Sequence, residues 1–310
     1  MSVFSRDYFY DEAKAFEHLE KGLWSGSPVC PKCGAMDRIY TLEGVKDKKG
    51  RVRLGLKKCG HCKGQFTVRV GTVFESAHIP LTKILQAVYL MCSSKKGISA
   101  HQMHRTLEIT YKSAWFLCHR IREAMRDGSL APMGGTGGVV EIDETYIGRD
   151  HSKVKRSGVM HKYAVLTLVE RNGRARSFPI ERATQGTVMP IIMDNVKYET
   201  SIMTDEGGQF RPMKKLYSSH GVVKHSVGEY VRGETHTNTI EGYFSIFKRG
   251  MKGVYQHCGE KHLHRYLAEF DFRYSNRIAL GTNDEMRAGK AILGISGKRL
   301  TYGGSKASQA

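Results

Sequence analysis

Two C-x-x-C pairs, CPKC at Cys30 and Cys33 and CGHC at Cys59 and Cys62, stand 25 residues apart near the start of a chain of 310 residues. Each pair can present two thiolates from one tight knuckle, and the segment between them is long enough for a hairpin that closes the knuckles around a single tetrahedral ion. A redox C-x-x-C would need only one pair. Disulfides need an oxidising compartment. No stretch approaches the roughly 18 to 20 apolar residues of a membrane span, and the start MSVFSRDYFYDEAKAF lacks the apolar core of a signal peptide. The expectation is therefore a cytoplasmic protein without a membrane partner, holding one structural zinc per chain on Cys30, Cys33, Cys59 and Cys62. The isolated Cys92, Cys118 and Cys258 read as small buried apolar residues. His257, Cys258, His262 and His264 lack a second knuckle and are not taken as a metal site.

Charge bears on the partner. Lys and Arg number 49 against 30 Asp and Glu, a formal net charge of +19, and the excess runs along the chain instead of sitting in one tail. A polyanion contacted over most of the molecule accounts for that distribution, and nucleic acid is the usual one. Around the knuckles Arg51, Arg53, Lys57, Lys58, Lys63 and Arg69 face one acid, Glu75, between residues 51 and 75. That surface suits a DNA backbone, although ribbons also mediate protein contacts.

Beyond the ribbon, Leu81, Ile84, Leu85, Val88 and Tyr89 repeat at helical spacing, and Ser99 is placed to cap a short helix running through Leu107. A further helix ends near Arg126 and carries Lys112, His119, Arg120, Arg122 and Arg126. Two helices joined by a short turn, the second one basic, suggest a helix-turn-helix, with Lys112 and Arg120 as DNA contacts. A helical linker with a solvated basic face is the plainer alternative. The run DGSLAPMGGTGG then marks a boundary.

The pattern changes to strands in VVEIDETYIG, KYAVLTLVERNG and RARSFPIERA. TVMPIIMDNV reads as a helix, SIMTDEG as a strand, RPMKKLYSSHG as a helix, GVVKHSVGEYV as a last strand and NTIEGYFSIFKRGMKGV as a final helix. Three strands followed by alternating helix and strand make a mixed sheet with helices on its faces. Asp143 lies in the first strand and Asp205 follows the fourth. If those strands are neighbours, the two aspartates stand side by side and repel unless a cation lies between them. Hard oxygen ligands of this kind select Mg2+ or Mn2+. Glu241 sits on the last helix beside the apolar stripe Ile240, Tyr243, Phe244 and Phe247, with Lys248 seven residues on and about 10 Å along the axis.

These motifs, with CPKCG, CGHCKGQFTVRVGTVFE, EIDETYIG, TDEGGQF, HTNTIEGYFSIFKRGMKGVY and HLHRYLAEFDFRYSNR, give a resemblance over roughly residues 14 to 280. The chain resembles bacterial insertion-sequence DDE transposases with an N-terminal zinc ribbon, in the superfamily that includes retroviral integrases. That resemblance implies an α+β multidomain architecture: an N-terminal helix and zinc ribbon (1–75), a helix-turn-helix segment (76–128), a linker (129–138), an RNase H-like DDE catalytic domain (139–280) and a tail (281–310). It implies catalysis by Asp143, Asp205 and Glu241 holding two divalent ions, with Asn238 as a helper on the same helix and Lys248 or His236 on phosphate. No covalent enzyme intermediate is implied. Double-stranded DNA, as element ends and as target, is the implied partner, and joining two ends implies a homo-oligomer. Glu144 and Glu206 should point away from the metals, and the segment GRDHSKVKRSGVMHKY is shorter than the loop often found there. A silent DNA-binding regulator and a nuclease that hydrolyses without joining remain as alternatives.

Overall fold

A computed structural model describes residues 2–128, 131–148 and 162–301. Residue 1, residues 149–161 of the segment GRDHSKVKRSGVMHKY, part of the Gly-rich linker and the last nine residues lie outside the described residues. The chain divides into two units, residues 1–94, 98–125 and 284–310 in the first and 95–97 and 126–283 in the second.

The first unit opens on α1 (Glu12–Trp24), which starts where the Asp11 carboxylate accepts the N–H groups of Ala13 and Lys14, 2.7 and 3.1 Å away. That cap satisfies two of the donors a helix start leaves without partners. Three short strands follow as an antiparallel sheet, β1 (Ile39–Thr41), β2 (Lys57–Cys59) and β3 (Gln65–Phe66), in that order. Next come α2 (Leu81–Ser93), α3 (Ala100–Leu107) and α4 (Tyr111–Met125). Ser99 caps α3 by accepting the Gln102 N–H, as its position before the apolar run predicts. Glu108 leaves α3 in the left-handed region and α4 begins three residues later.

The helix pair is present, but three of the five basic residues expected on its surface are not exposed. His119, Arg120 and Arg122 are buried, and the Arg120 guanidinium lies 4.7 Å from the Phe116 ring centroid. Every residue from Leu117 to Met125 is buried, so this half of α4 is covered all round. Cys92 and Cys118 are buried as expected, whereas Cys258 is only half-buried.

The second unit is built on a five-stranded sheet. β4 (Val139–Ile147), β5 (Tyr163–Glu170) and β6 (Ala175–Ile180) form an antiparallel meander, then α5 (Gln185–Asn195) returns the chain to β7 (Ser201–Thr204), which runs parallel to β4. The expected helix after β7 is a single turn, α6 (Met213–Leu216), and β8 (Ser219–Val222) begins and ends earlier than its sequence run suggests. Residues 225–227 form a 3-10 turn closed by Gly228 at φ 74°. The hairpin of β9 (Val231–Arg232) and β10 (Thr235–His236) leads into α7 (Asn238–Gly250), which continues as one wide turn through Tyr255 and is followed by α8 (Glu260–Ser275). The strand order is β6-β5-β4-β7-β8.

Side-chain alternation splits β4 between two cores. Val140 and Ile142 pack with Leu166, Leu168, Ile202 and α5 residues Val188 and Ile192. Ile147 packs with Val165, Ile240, Phe244 and Phe247 under α7, and with Leu263 and Phe270 of α8. The odd-numbered residues of β4 therefore face α7. Residues 281–310, expected as a tail, instead contain α9 (Asp284–Leu293), which belongs to the first unit, where Arg287 Nη1 donates to the Cys92 carbonyl at 2.8 Å.

Between α8 and the sheet, the half-buried Asp271 carboxylate accepts from the Ser177 N–H (2.8 Å), the Ser177 hydroxyl (2.7 Å) and the Tyr243 hydroxyl (2.6 Å). Burial outweighs these bonds and pushes its pKa up to about 6. The native state thus holds this proton more tightly than the unfolded chain, where an aspartate titrates near 3.9. Its contribution to stability is full below about pH 4 and is lost as pH rises through about 6. Asp271→Asn, which cannot titrate, should remove a slope on the order of 2–3 kcal/mol across that window relative to wild type. Urea midpoints of both proteins from pH 4 to pH 7 test this, and parallel curves would refute it.

Candidate active site

The four knuckle cysteines converge. Their sulfurs all lie within 4.8 Å of one another, with Cys30 to Cys62 and Cys33 to Cys59 both at 3.6 Å. β2 supplies Cys59 opposite Ile39 of β1, so the hairpin between the pairs closes the cluster. Burial pushes the Cys30 thiol up, but the N–H groups of Lys32 and Cys33 and the neighbouring thiols outweigh it and bring the pKa down to about 7. The Cys59 thiol is lowered chiefly by the Cys62 N–H. Each knuckle thus aims backbone donors at its first sulfur, as a thiolate requires, and four closely spaced sulfurs fit one tetrahedral zinc with no position left for water.

The acids depend on strand register. β4 and β7 run parallel with Val139 opposite Ser201 and Glu141 opposite Met203. Asp143 lies two residues beyond Glu141 on β4, on the face that α7 covers, and Asp205 directly follows the end of β7. Burial raises the Asp143 pKa to about 7, the negative charges of Asp205 and Glu144 add to the rise, and the Lys248 ammonium works against it. Asp143 accepts the Glu144 N–H at 2.7 Å and Asp205 the Gly207 N–H at 2.9 Å. Two carboxylates held together at this cost fit a divalent cation, which would relieve both burial and repulsion.

Glu241 sits in the first turn of α7. Its side chain is 48% exposed, accepts the Thr237 hydroxyl at 3.1 Å and lies 3.8 Å from His225 Nε2. Among the described residues, the four cysteines are the one group of three or more such side chains gathered within ligand distance. Asn238 is exposed at the first turn of α7. Lys248 lies 5.7 Å from the Phe244 ring centroid. Glu206 is exposed and accepts the Ser226 N–H. Glu144 lies on the α5 side of the sheet but is half-buried, accepting the Gln209 amide at 3.0 Å on both oxygens, so it does not face solvent.

The proposed DNA contacts divide by exposure. Arg51, Arg53, Lys58, Lys63 and Lys112 are exposed. Arg51 pairs with Asp47 at 2.7 Å, Arg53 donates to Gln65, and Lys63 donates to the Gly60 carbonyl. Lys57 and Arg120 are buried, which corrects their placement on a surface. Lys57 pairs with Glu20 at 2.9 Å and sits 5.6 Å from the Trp24 ring centroid, so its charge is neutralised within the protein. Arg69 is likewise bound to Glu12 and to the carbonyls of Ala77 and Ile79.

Two residues beside the acids carry no signal in the sequence. His225 approaches Glu241 only because the chain turns at 225–227. Glu141, fully buried, accepts from Arg171, Thr239 and the Ile240 N–H. His236 has its Nδ1 3.4 Å from Glu141.

A family model described as an ISXO2-like transposase domain matches residues 136–275, and one described as a transposase zinc-ribbon domain matches residues 10–65. A chain from Halobacterium salinarum named "Uncharacterized protein in transposable element ISH50" is 26% identical over 284 residues, covering 86% of this chain and 91% of that relative. A chain in the solved simian T-cell lymphotropic virus intasome in complex with PP2A regulatory subunit B56 gamma is 14% identical, with 55% of this chain and 67% of that chain covered. Its TM-score of 0.29 is too low to support any statement. With a ribbon and a transposase domain matched in this order, and four cysteine sulfurs gathered in the ribbon, the protein belongs to the ISXO2-like insertion-sequence transposases.

Proposed function

We propose that this transposase cuts at the ends of its element and joins the freed 3′-hydroxyls to target DNA, with Asp143, Asp205 and Glu241 holding two Mg2+ or Mn2+ ions. The observation that supports this reading is the parallel pairing of β4 with β7, since Asp143 lies on the first and Asp205 follows the second, in a chain of net charge +19. When bound, such ions lower the pKa of water and stabilise charge on a leaving oxygen. The chain itself supplies the acids that fix their position, and cations that hold and align the phosphate backbone. Two ends joined in one event call for a homo-oligomer. Incubating end-labelled element DNA with a supercoiled plasmid in Mg2+ tests the reading. Cleaved ends joined to the plasmid support it; cleavage without joining would make the protein a nuclease, and binding alone a regulator.

Lys248 is the phosphate contact in this scheme. It lies two turns along α7 from Glu241, and its ammonium works against the raised pKa of Asp143. A lysine holds phosphate as a point charge. Lys248→Ala should lower end affinity, reduce the slope of log affinity against log salt by about one, and slow cleavage. Lys248→Arg should recover part of the loss. Filter binding at a series of salt concentrations decides it, and an unchanged slope would remove Lys248 from the DNA.

A further inference from the structure

We infer that Glu141 is a positioning residue that locks the helix carrying Glu241 onto the strand carrying Asp143. This rests on the reading of Asp143, Asp205 and Glu241 as the metal-holding acids. Glu141 has no exposed surface, and a carboxylate taken so far from water is costly unless its oxygens are fully used. They are. One oxygen accepts from Arg171 Nε at 2.7 Å and from the Thr239 hydroxyl at 2.8 Å, and the other accepts the Ile240 N–H at 2.9 Å.

The last bond explains the arrangement. Thr237, at the start of α7, makes no side-chain cap to the helix, so first-turn donors lack the usual local acceptor. Glu141 supplies one from the sheet, and its negative charge suits the positive end of the helix. Arg171 completes the lock by donating to the carbonyls of Glu234 and His236 at 2.9 Å each, in the hairpin that delivers the chain to α7. Residues 141, 171 and 234–240 are therefore fixed to one another.

Glu141 and Asp143 are two apart on one strand and share the face under α7, while Glu241 immediately follows the residue whose N–H Glu141 accepts. A shift at Glu141 would move Glu241 relative to the aspartate pair, leaving the aspartates themselves in register. Both Glu141 oxygens are taken up by Arg171, Thr239 and Ile240. Glu141 acts through α7.

The test uses the full chain with zinc retained and compares wild type, Glu141→Gln, Glu141→Ala and Asp205→Asn. Free Mn2+ is followed by electron paramagnetic resonance without DNA, and cleavage of labelled ends is followed as Mn2+ is raised. Glutamine keeps one acceptor oxygen, for the Ile240 N–H or for the Thr239 hydroxyl but not for both, and loses the charge opposite Arg171. Glu141→Gln should raise half-saturating Mn2+ about tenfold, the scale at which loss of a supporting hydrogen bond weakens a metal site, and saturating Mn2+ should restore most of the cleavage rate. Glu141→Ala should shift the midpoint further; if it does not fold, the glutamine variant decides alone. A lower melting temperature with an unchanged Mn2+ midpoint in Glu141→Gln would overturn the inference, because a purely structural role predicts that pattern. If Asp205→Asn binds Mn2+ as wild type does, the metal-site reading fails and this inference with it. If Asp205→Asn loses Mn2+ while Glu141→Gln keeps the wild-type midpoint, only the inference fails.

Discussion

Asp143→Asn and Asp205→Asn should each bind element-end DNA within a few-fold of wild type and cleave it about a thousandfold more slowly or worse. Each substitution removes a negative charge with almost no change in volume. The carbonyl oxygen of the new amide can still accept the N–H that the carboxylate accepts, from Glu144 in the first case and Gly207 in the second, so the local backbone is preserved. What disappears is the charge that would hold a divalent ion, and loss of one preorganised charge-stabilising group costs about 10²–10³ in rate where it has been measured. Glu241→Gln should behave alike. Its half-exposed position offers a sharp comparison with Asn238, one turn earlier on α7. Near-normal cleavage by Glu241→Gln, with loss in Asn238→Ala, would move the third ligand to Asn238. Normal cleavage by Asp205→Asn in Mg2+ would overturn the assignment altogether.

Loss of zinc should unfold the ribbon. Its sheet has strands of three, three and two residues, and the cluster buried at the knuckles holds only Cys30, Cys59 and Phe66, with Trp24, Ala35, Ile39 and Val70 packed against them. So small a core cannot offset the conformational entropy of ordering its chain. A structural zinc contributes about 10–16 kcal/mol of binding free energy in isolated fingers. Wild type should therefore carry about one zinc per chain, and Cys30→Ser with Cys59→Ser should carry none and become open to proteolysis between residues 30 and 66. Metal analysis and limited digestion measure both, and full zinc retention in the double variant would refute the four-cysteine site.

The sequence was most legible where the chemistry is local. C-x-x-C spacing fixes a knuckle within four residues, and the cap at Ser99 and the stripe on α7 follow from helical geometry alone. Pairing Asp143 with Asp205 took one further assumption, that the first and fourth strands are neighbours, and the β4–β7 register meets it. Burial of charge was not legible. Lys57 and Arg120 look like surface cations because charge is visible in a sequence, while Glu20 and the Phe116 ring face, which accommodate them, are not marked as partners. Glu141 escaped notice for the same reason: its partners stand 30, 98 and 99 residues away, and its role exists only once β4, the turn at Arg171 and α7 have assembled. The helix after β7 shrank to one turn because Pro212 opens it and Tyr217 leaves it in extended backbone.

The placement of α9 sets an order of events during synthesis. The second unit ends at Asn283, so all of its residues have been made before α9 leaves the ribosome. The first unit, which holds the ribbon and begins at residue 1, lacks α9 and the Arg287 bond to the Cys92 carbonyl until residues 284–293 arrive. The unit that holds the ribbon is thus begun before the second unit and completed after it. A chain released before residue 284 carries every proposed catalytic acid, but α2 lacks the helix that covers it, leaving such fragments exposed to cellular proteases.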